Sequence, residues 1–479
     1  MDLRPDFRGE GRLKDAGPSV VVVGGGASGV LMALHLLRCD NNARVTLIEK
    51  TDLLGCGVAY GTRDPSHLLN TRVSSMSAYA DEPTHFLSWL RETIDPSACP
   101  FSFVSRATYG HYLAETLRQA ADGDRLTCLR GEAVRLVPAE EGPAVQLSDS
   151  RILLADRVVL ATGHALPQPD PDAAISLPWT GGTPPDPDAD ILIVGTGLTM
   201  VDQVLSLLAA GHRGRIEAVS RRGLLPQPHA DAAPEPIDVS ELPVGQPMSL
   251  LMAWLRKRVA DTESRGGNWR SVVDGLRPHV QHLWQALDAG SRARFLRHAC
   301  AWWEIHRHRL PPSSAERIVA ALTEGRLVLS RAAFLGAQRN TDGTVTAQLR
   351  PTGTSADVQR TFHHVVDCRG IRRDPAQHAA QVVRRMLSDG LTLLDSLRLG
   401  IAVDCEARVL RPDGRVLDGV FAIGPVSRSA FWEITAIPDI RVQAAWLASS
   451  LTRSEHPFAQ RSMVAKEKEN HSPFTPVHV

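Results

Sequence analysis

Unbroken apolar runs punctuate the chain: Ser19-Val-Val-Val-Val-Gly24, Arg44-Val-Thr-Leu-Ile-Glu49, Asp156-Arg-Val-Val-Leu-Ala-Thr-Gly163 and Asp190-Ile-Leu-Ile-Val-Gly195. Runs without alternation suit strands of a parallel sheet covered on both faces. After the first run, Val30-Leu-Met-Ala-Leu-His-Leu-Leu37 reads as a helix, so residues 19–49 predict a β-α-β start. The pattern restarts at Asp190, with Ile216-Glu-Ala-Val-Ser220 as its second strand, about 170 residues further on by the glycine positions. Between about Ser249 and Ala321 the chain is helical in pattern, rich in Trp and Arg, and has no strand run. Phe362–Cys368 and Gly419–Gly424 predict late strands, and Pro438–Leu451 a final helix.

Glycines sit where each restart turns from strand to helix. Gly24-Gly-Gly26-Ala-Ser-Gly29 fits GxGxxG. Gly24 makes the tight turn, Gly26 lets backbone approach a pyrophosphate, and Gly29 allows close helix–strand packing. The helix start, with Ser28, then offers free N–H groups to phosphates. Glu49 ends the second strand twenty residues past Gly29, with Lys50 beside it. A carboxylate there accepts ribose hydroxyl protons and repels a 2′-phosphate, which favours FAD or NAD. The second turn, Gly195-Thr-Gly197-Leu-Thr-Met200, has Met in place of the third glycine. Ser220-Arg221-Arg222 replaces the acid at the end of its second strand. Two guanidiniums there can clamp a 2′-phosphate, so this turn predicts NADPH. An FAD site with Glu and an NADPH site with Arg-Arg suggest a flavin reduced by NADPH.

Composition narrows the choice. The 479 residues allow about three lobes. Lys+Arg and Asp+Glu are both 53, and a zero net charge argues against a nucleic-acid coat. The uncharged stretch Pro18–Leu34 holds Gly24, Gly25, Gly26 and Gly29, poor residues for a spanning helix, so no membrane association is expected. Seven cysteines without a CxxC spacing suggest free thiols in a reducing, cytoplasmic setting. Cys56 falls where disulfide reductases carry a CxxxxC pair, but Gly61 stands at the partner position. In His306-Arg-His-Arg309 the histidines are two apart and cannot share one helix face, so no metal site is expected; Arg307 or Arg309 could instead anchor an anion.

The chain resembles a bacterial FAD/NAD(P)-binding family of two-dinucleotide-binding flavoproteins. The resemblance runs nearly to Leu451. It is carried by Gly55-Cys-Gly-Val-Ala-Tyr-Gly61, His67-Leu-Leu-Asn70, Met76-Ser-Ala78, Ala161-Thr162-Gly163-His164 and Gly195-Thr-Gly-Leu-Thr-Met-Val-Asp202. Ser220-Arg-Arg-Gly-Leu-Leu-Pro226, Phe295-Leu-Arg-His298, His306-Arg-His-Arg309, Gly424-Pro425 and Trp432-Glu-Ile-Thr-Ala-Ile-Pro-Asp-Ile-Arg441 continue it. Similar proteins include flavin monooxygenases that oxidise the amino group of aspartate to nitrosuccinate. Pro83-Thr-His-Phe-Leu-Ser-Trp-Leu90, Arg106 and Tyr109-Gly-His-Tyr-Leu113 loosely resemble N-hydroxylating monooxygenases of ornithine and lysine; two amphipathic core helices would look the same.

The resemblance implies an α/β fold of two Rossmann-like domains in a glutathione-reductase-like arrangement. Residues 1–165 and 366–452 would form a discontinuous FAD domain, and 186–365 an inserted NADPH domain with a helical insertion at about 249–321. Pro167–Pro187 would link them, and 453–479 would be a loose tail. Thr162, Gly163 and Gly424 join the expected cofactor residues, with Pro438 and Asp439 at the helix start that faces the flavin in such folds. Many such proteins carry Asp after the glycine of the late strand; Pro425 stands there, so another group must replace that contact. Asn70, either a flavin partner or a turn cap, and Trp432 are the candidate catalytic residues. The implied activity is an FAD-dependent, NADPH-using N-oxygenating monooxygenase that takes O2 and a small amino acid or amine. Alternatives are a flavin oxidoreductase without oxygen insertion, which oxygen consumption coupled to product would separate, and a non-catalytic flavin-binding sensor or scaffold, against which NADPH turnover of any kind would count.

Overall fold

The computed structural model describes residues 17–452 apart from 122, 140, 168–169, 171–172, 179–185 and 371–373. Much of the expected linker and the expected tail 453–479 lie outside the described residues.

The first lobe contributes β1 (Ser19–Val23), β2 (Arg44–Glu49), β3 (Leu126–Arg130), β4 (Ala133–Ala139), β5 (Gly142–Leu147), β6 (Ile152–Leu154) and β7 (Arg157–Leu160). The second contributes β8 (Ile191–Val194), β9 (Ile216–Ser220), β10 (Leu327–Arg339), β11 (Val345–Pro351), β12 (Val358–Phe362) and β13 (His364–Asp367). The chain then returns to the first lobe with β14 (Arg408–Leu410) and β15 (Val416–Ala422).

Two six-stranded sheets result, in the orders β14-β15-β7-β1-β2-β3 and β12-β11-β10-β9-β8-β13. All pairs from β15 to β3 are parallel, as are those from β10 to β13. β1 and β7 are apolar and buried after their first residues, Ser19 and Arg157, because both faces are covered. Helix Ala27–Cys39 crosses from β1 to β2, buries ten residues, and packs on the final helix Ile437–Thr452. The antiparallel β4-β5-β6 meander is the excursion between β3 and β7.

Two expectations are corrected. Helix Pro312–Thr323 lies within the span read as insertion, yet Ile318 and Ala321 pack on Ile191, Ile193 and Leu327 of the second sheet. It is the crossover helix between β9 and β10, which contiguous helical pattern alone cannot separate from its neighbours. The insertion proper is the run of helices from Met248 to Arg307. The expected boundary between 365 and 366 also falls inside β13, which pairs in register with β8 from His364 to Asp367. The second sheet therefore extends two residues further than expected.

The insertion docks on the returning first-lobe segment. Ile237, Leu242, Leu276, Leu283 and Trp284 form one core with Trp432, and Leu397 and Leu399 pack against it. Among the described residues, no helix is long and apolar enough to cross a membrane.

Candidate functional site

Both glycine turns lie at the carboxyl ends of parallel strands, where ligands of open α/β sheets bind. Gly24 has φ +108°, and a Cβ there would sit 2.5 Å from the Ala161 carbonyl oxygen. A Cβ on Gly29 would overlap the Gly24 carbonyl oxygen, so helix and strand approach as closely as backbone allows. Gly26 is the N-cap of helix Ala27–Cys39 and has no side-chain cap, which leaves the first N–H groups open to an anion. Glu49 is held in place: Oε2 accepts the Gly25 N–H at 2.8 Å, and Oε1 accepts the Thr51 N–H at 2.9 Å. Oε1 also accepts the Thr51 hydroxyl at 3.0 Å, so Oε2 is the oxygen that keeps a further lone pair for a ribose hydroxyl.

The floor of the first site continues inward. A Cβ on Gly57 would lie 3.4 Å from Gly26 Cα, the Tyr60 N–H donates to the Cys56 carbonyl at 3.0 Å, and the Tyr60 ring meets Tyr109 edge-on at 4.9 Å. Tyr109 is fully buried, and its hydroxyl has no hydrogen-bond partner among the described residues. Burial pushes that phenol up, and Arg441 opposes the shift. The Arg441 Nε is likewise buried without a partner among the described residues, although its Nη1 donates to the Ser77 carbonyl at 2.8 Å. Two unmatched buried donors beside a bare glycine cradle fit a polar flavin nucleotide.

Gly424 closes the other side. It has φ +70°, and a Cβ there would overlap Ser28 Oγ. Its N–H donates to Gln443 Oε1 at 2.9 Å, and Gln443 also reaches Ser427 Oγ at 3.3 Å. Gln443, on the final helix, thus fixes the strand tip followed by Pro425. A buried amide among Ile440, Ala444 and Leu447 was the available sequence signal. Thr162 and Gly163 follow β7, with Gly163 at φ +73° and no neighbour within 4 Å of a Cβ. Lys50 is exposed at the end of β2. Pro438 is the second residue of the final helix, and Asp439 pairs with Arg277 of the insertion at 2.8 Å.

The second cradle repeats the first with one change. Gly195 has φ +116°, and a Cβ would lie 2.5 Å from the Cys368 carbonyl oxygen. Gly197 caps helix Leu198–Ala209 with open space beside it, while Met200 is wholly buried in that lobe's core. Arg221 and Arg222 follow β9; Arg221 is exposed, whereas Arg222 donates to the Arg297 carbonyl at 2.9 Å.

The lobes meet through polar contacts. Arg106 pairs with Asp202 at 2.8 Å, His67 Nε2 lies 2.8 Å from Ser206 Oγ, and Ser206 donates to Asp64. Burial raises the Asp202 carboxyl above its usual range, and Arg106 opposes the shift. His229 Nε2 donates to the Asn70 carbonyl at 3.0 Å, so Asn70 lies at this boundary. The Asn70 side-chain amide has no hydrogen-bond partner among the described residues. Trp432 lies in the insertion core, stacked on Trp284 at 4.8 Å with Arg428 over its ring at 4.1 Å. Its position is that of a packed wall.

The His306–Arg309 segment is internally paired. Arg309 forms a two-pronged bond with Asp274 at 2.7 and 2.9 Å, and Arg307 Nε lies 3.2 Å from Glu433. Burial disfavours the Glu433 charge, yet Arg307, His308 and the Trp303 N–H hold its carboxyl below the usual range. His306 packs edge-on to Trp269. No group of three metal-ligating side chains occurs among the described residues, and no disulfide is formed among them.

Residues 21–165 match a family model described as FAD-NAD(P)-binding. No curated protein matches the sequence. Among solved structures, the chain is similar to the Kutzneria sp. 744 ornithine N-hydroxylase with reduced FAD, NADP+ and L-ornithine, at TM-score 0.61 and 14% identity over 91% of this chain and 99% of that one. It is similar to the FAD-bound cadaverine monooxygenase of desferrioxamine biosynthesis from Erwinia amylovora, at TM-score 0.61 and 14% identity over 93% and 98%. Thioredoxin reductase from Lactococcus lactis matches at TM-score 0.51 and 14% identity over 91% and 99%. The fold is that of two-dinucleotide-binding flavoproteins, and the FAD-NAD(P)-binding match falls on residues 21–165 of its first lobe.

Proposed function

We propose that the protein is an FAD-dependent, NADPH-using monooxygenase that oxygenates the nitrogen of a small amino acid or amine. The observation that carries the two-cofactor reading is the contrast between the adenosine ends of the two cradles: Glu49, held by Gly25 and Thr51, at one, and arginine at the other. Oxygen transfer to nitrogen is supported by the fold shared with an ornithine N-hydroxylase and a cadaverine monooxygenase.

Gly24, Gly26, Ser28 and Gly29 would hold the FAD pyrophosphate, with Glu49 on the ribose. Gly195 and Gly197 would hold that of NADPH. When bound, the flavin supplies hydride acceptance and reaction with O2. The chain supplies position and cover. Arg106 and His67 hold the NADPH-side helix against the FAD lobe. Gln443 fixes the Gly424 turn beside Ser28. The insertion closes over the returning segment through Trp284 on Trp432 and Trp303 on Glu433. Excluding water there strengthens every charged contact inside.

Anaerobic mixing with NADPH tests the cofactor part of this reading. The purified protein should be yellow, release FAD on denaturation, and lose its flavin absorbance with NADPH. A colourless protein, or a flavin that stays oxidised under excess NADPH, contradicts it.

A further inference from the structure

The arginines at the second cradle are not arranged as their sequence order suggests. Arg222 turns toward the insertion and donates to the Arg297 carbonyl at 2.9 Å. A different arginine stands beside Arg221. Arg331 on β10 pairs in register with Ser220, the last residue of β9. Its stem lies against Gly223, where a Cβ would sit 2.7 Å from Arg331 Cγ and where φ is +60°. That glycine leaves room for the arginine to cross the turn. Thr352 ties the two neighbours together: its N–H donates to the Arg331 carbonyl at 2.9 Å, and its hydroxyl donates to the Arg221 carbonyl at 3.2 Å. Arg221 and Arg331 are both exposed, and neither guanidinium has a hydrogen-bond or ion-pair partner among the described residues.

We propose that Arg221 and Arg331, spaced by Thr352, form the 2′-phosphate clamp, and that Arg222 is a strut to the helical insertion. This rests on the NADPH reading above. A phosphate monoester offers three acceptor oxygens, and two planar guanidiniums from adjacent strands can each present a fork to it. Arg222 has already committed a donor to the insertion, whereas Arg221 and Arg331 have all of theirs available. The strut also gives the insertion a fixed contact with the turn that carries the clamp.

Calorimetric titration of the FAD-loaded protein with NADP+ and with NAD+ tests the assignment without turnover. The parent should bind NADP+ more tightly than NAD+. Arg331→Ser should lower that preference by about tenfold, through NADP+ alone. Arg331→Lys keeps the charge but loses the fork, and should restore part of it. Arg222→Ser should change the preference by no more than about twofold, the effect of a screened charge. FAD content, measured on each variant, reports folding. A parent preference that survives Arg331→Ser, or that Arg222→Ser lowers as much as Arg331→Ser, overturns the clamp. A parent without preference overturns the NADPH reading and the clamp together.

Discussion

Arg106 of the first lobe meets Asp202 of the second at 2.8 Å, with less than a fifth of either side chain exposed. Asp202 sits on the helix that starts at Gly197, so the pair seats the second cradle against the FAD lobe. His67 and Ser206 repeat the contact one turn along. Asp202→Asn leaves Arg106 charged, mostly enclosed and without its carboxylate partner, which costs up to about 3–5 kcal/mol when burial is complete. The variant should unfold at lower urea concentration and accept hydride from NADPH more slowly at equal FAD content. Parent values for both would mean that the lobes are held together elsewhere.

The first cradle makes a sharper prediction. Gly29→Ala places a methyl group on the Gly24 carbonyl oxygen, a backbone atom that cannot move aside. FAD retention and thermal stability should fall together. Glu49→Arg should instead act mainly on FAD, because it removes a carboxylate that accepts hydrogen bonds and puts a cation in its place. Losing each charged contact should cost about 1.5–3 kcal/mol. Flavin released on gel filtration measures both variants; full FAD retention by Glu49→Arg contradicts the assignment.

NADPH should reduce the flavin faster and at lower concentration than NADH. The reason is the arginine-bearing turn after β9, where the first lobe has Glu49. Stopped-flow reduction with both donors decides the matter, and equal constants would leave these arginines on the surface with no cofactor role.

Stability should fall as pH drops below neutrality. Burial lowers His164 to about 3, with Arg428 adding to the shift. Burial lowers His229 to about 4 and His308 to about 4, against the opposing pull of the Asn70 carbonyl and Glu433 respectively. The unfolded chain takes up these protons near pH 6.5, whereas the folded chain does not until about pH 4 for His229 and His308 and about pH 3 for His164. The unfolded state therefore binds more protons in that window. The stabilisation is complete above about pH 6.5 and is lost on descent, by at most about 1.4 kcal/mol per pH unit for each histidine. Urea midpoints at pH 7.5 and 5 measure this, and His229→Gln should flatten the difference. A midpoint unchanged between the two pH values contradicts it.

The two nucleotide turns were legible in the sequence because apolar run, glycines and helix occur in a fixed order there. Strand extents came within about three residues: the run Asp156–Gly163 contains β7 at Arg157–Leu160. What escaped was decided by packing at a distance. Helix Pro312–Thr323 has the same local pattern as the insertion helices, and only its seat on Ile191 and Leu327 separates them. Arg331 lies 110 residues from Arg221, and β9–β10 pairing alone makes them neighbours. Arg222 is a turn residue in sequence, and its bond to Arg297 depends on where the insertion folds back. Asp202 was visible within a motif, but its partner across the lobes was not.

The fate of the oxygen atom tests the central proposal most directly. The FAD-loaded protein, supplied with NADPH and 18O2, is screened against amino acids and diamines, and products are weighed by mass spectrometry. The account predicts that at least one amine accelerates NADPH oxidation and emerges with one labelled oxygen on nitrogen, with little peroxide released. NADPH oxidation that no amine alters, with its electrons recovered in full as hydrogen peroxide and no labelled product, would contradict it and leave a flavin oxidoreductase without oxygen insertion.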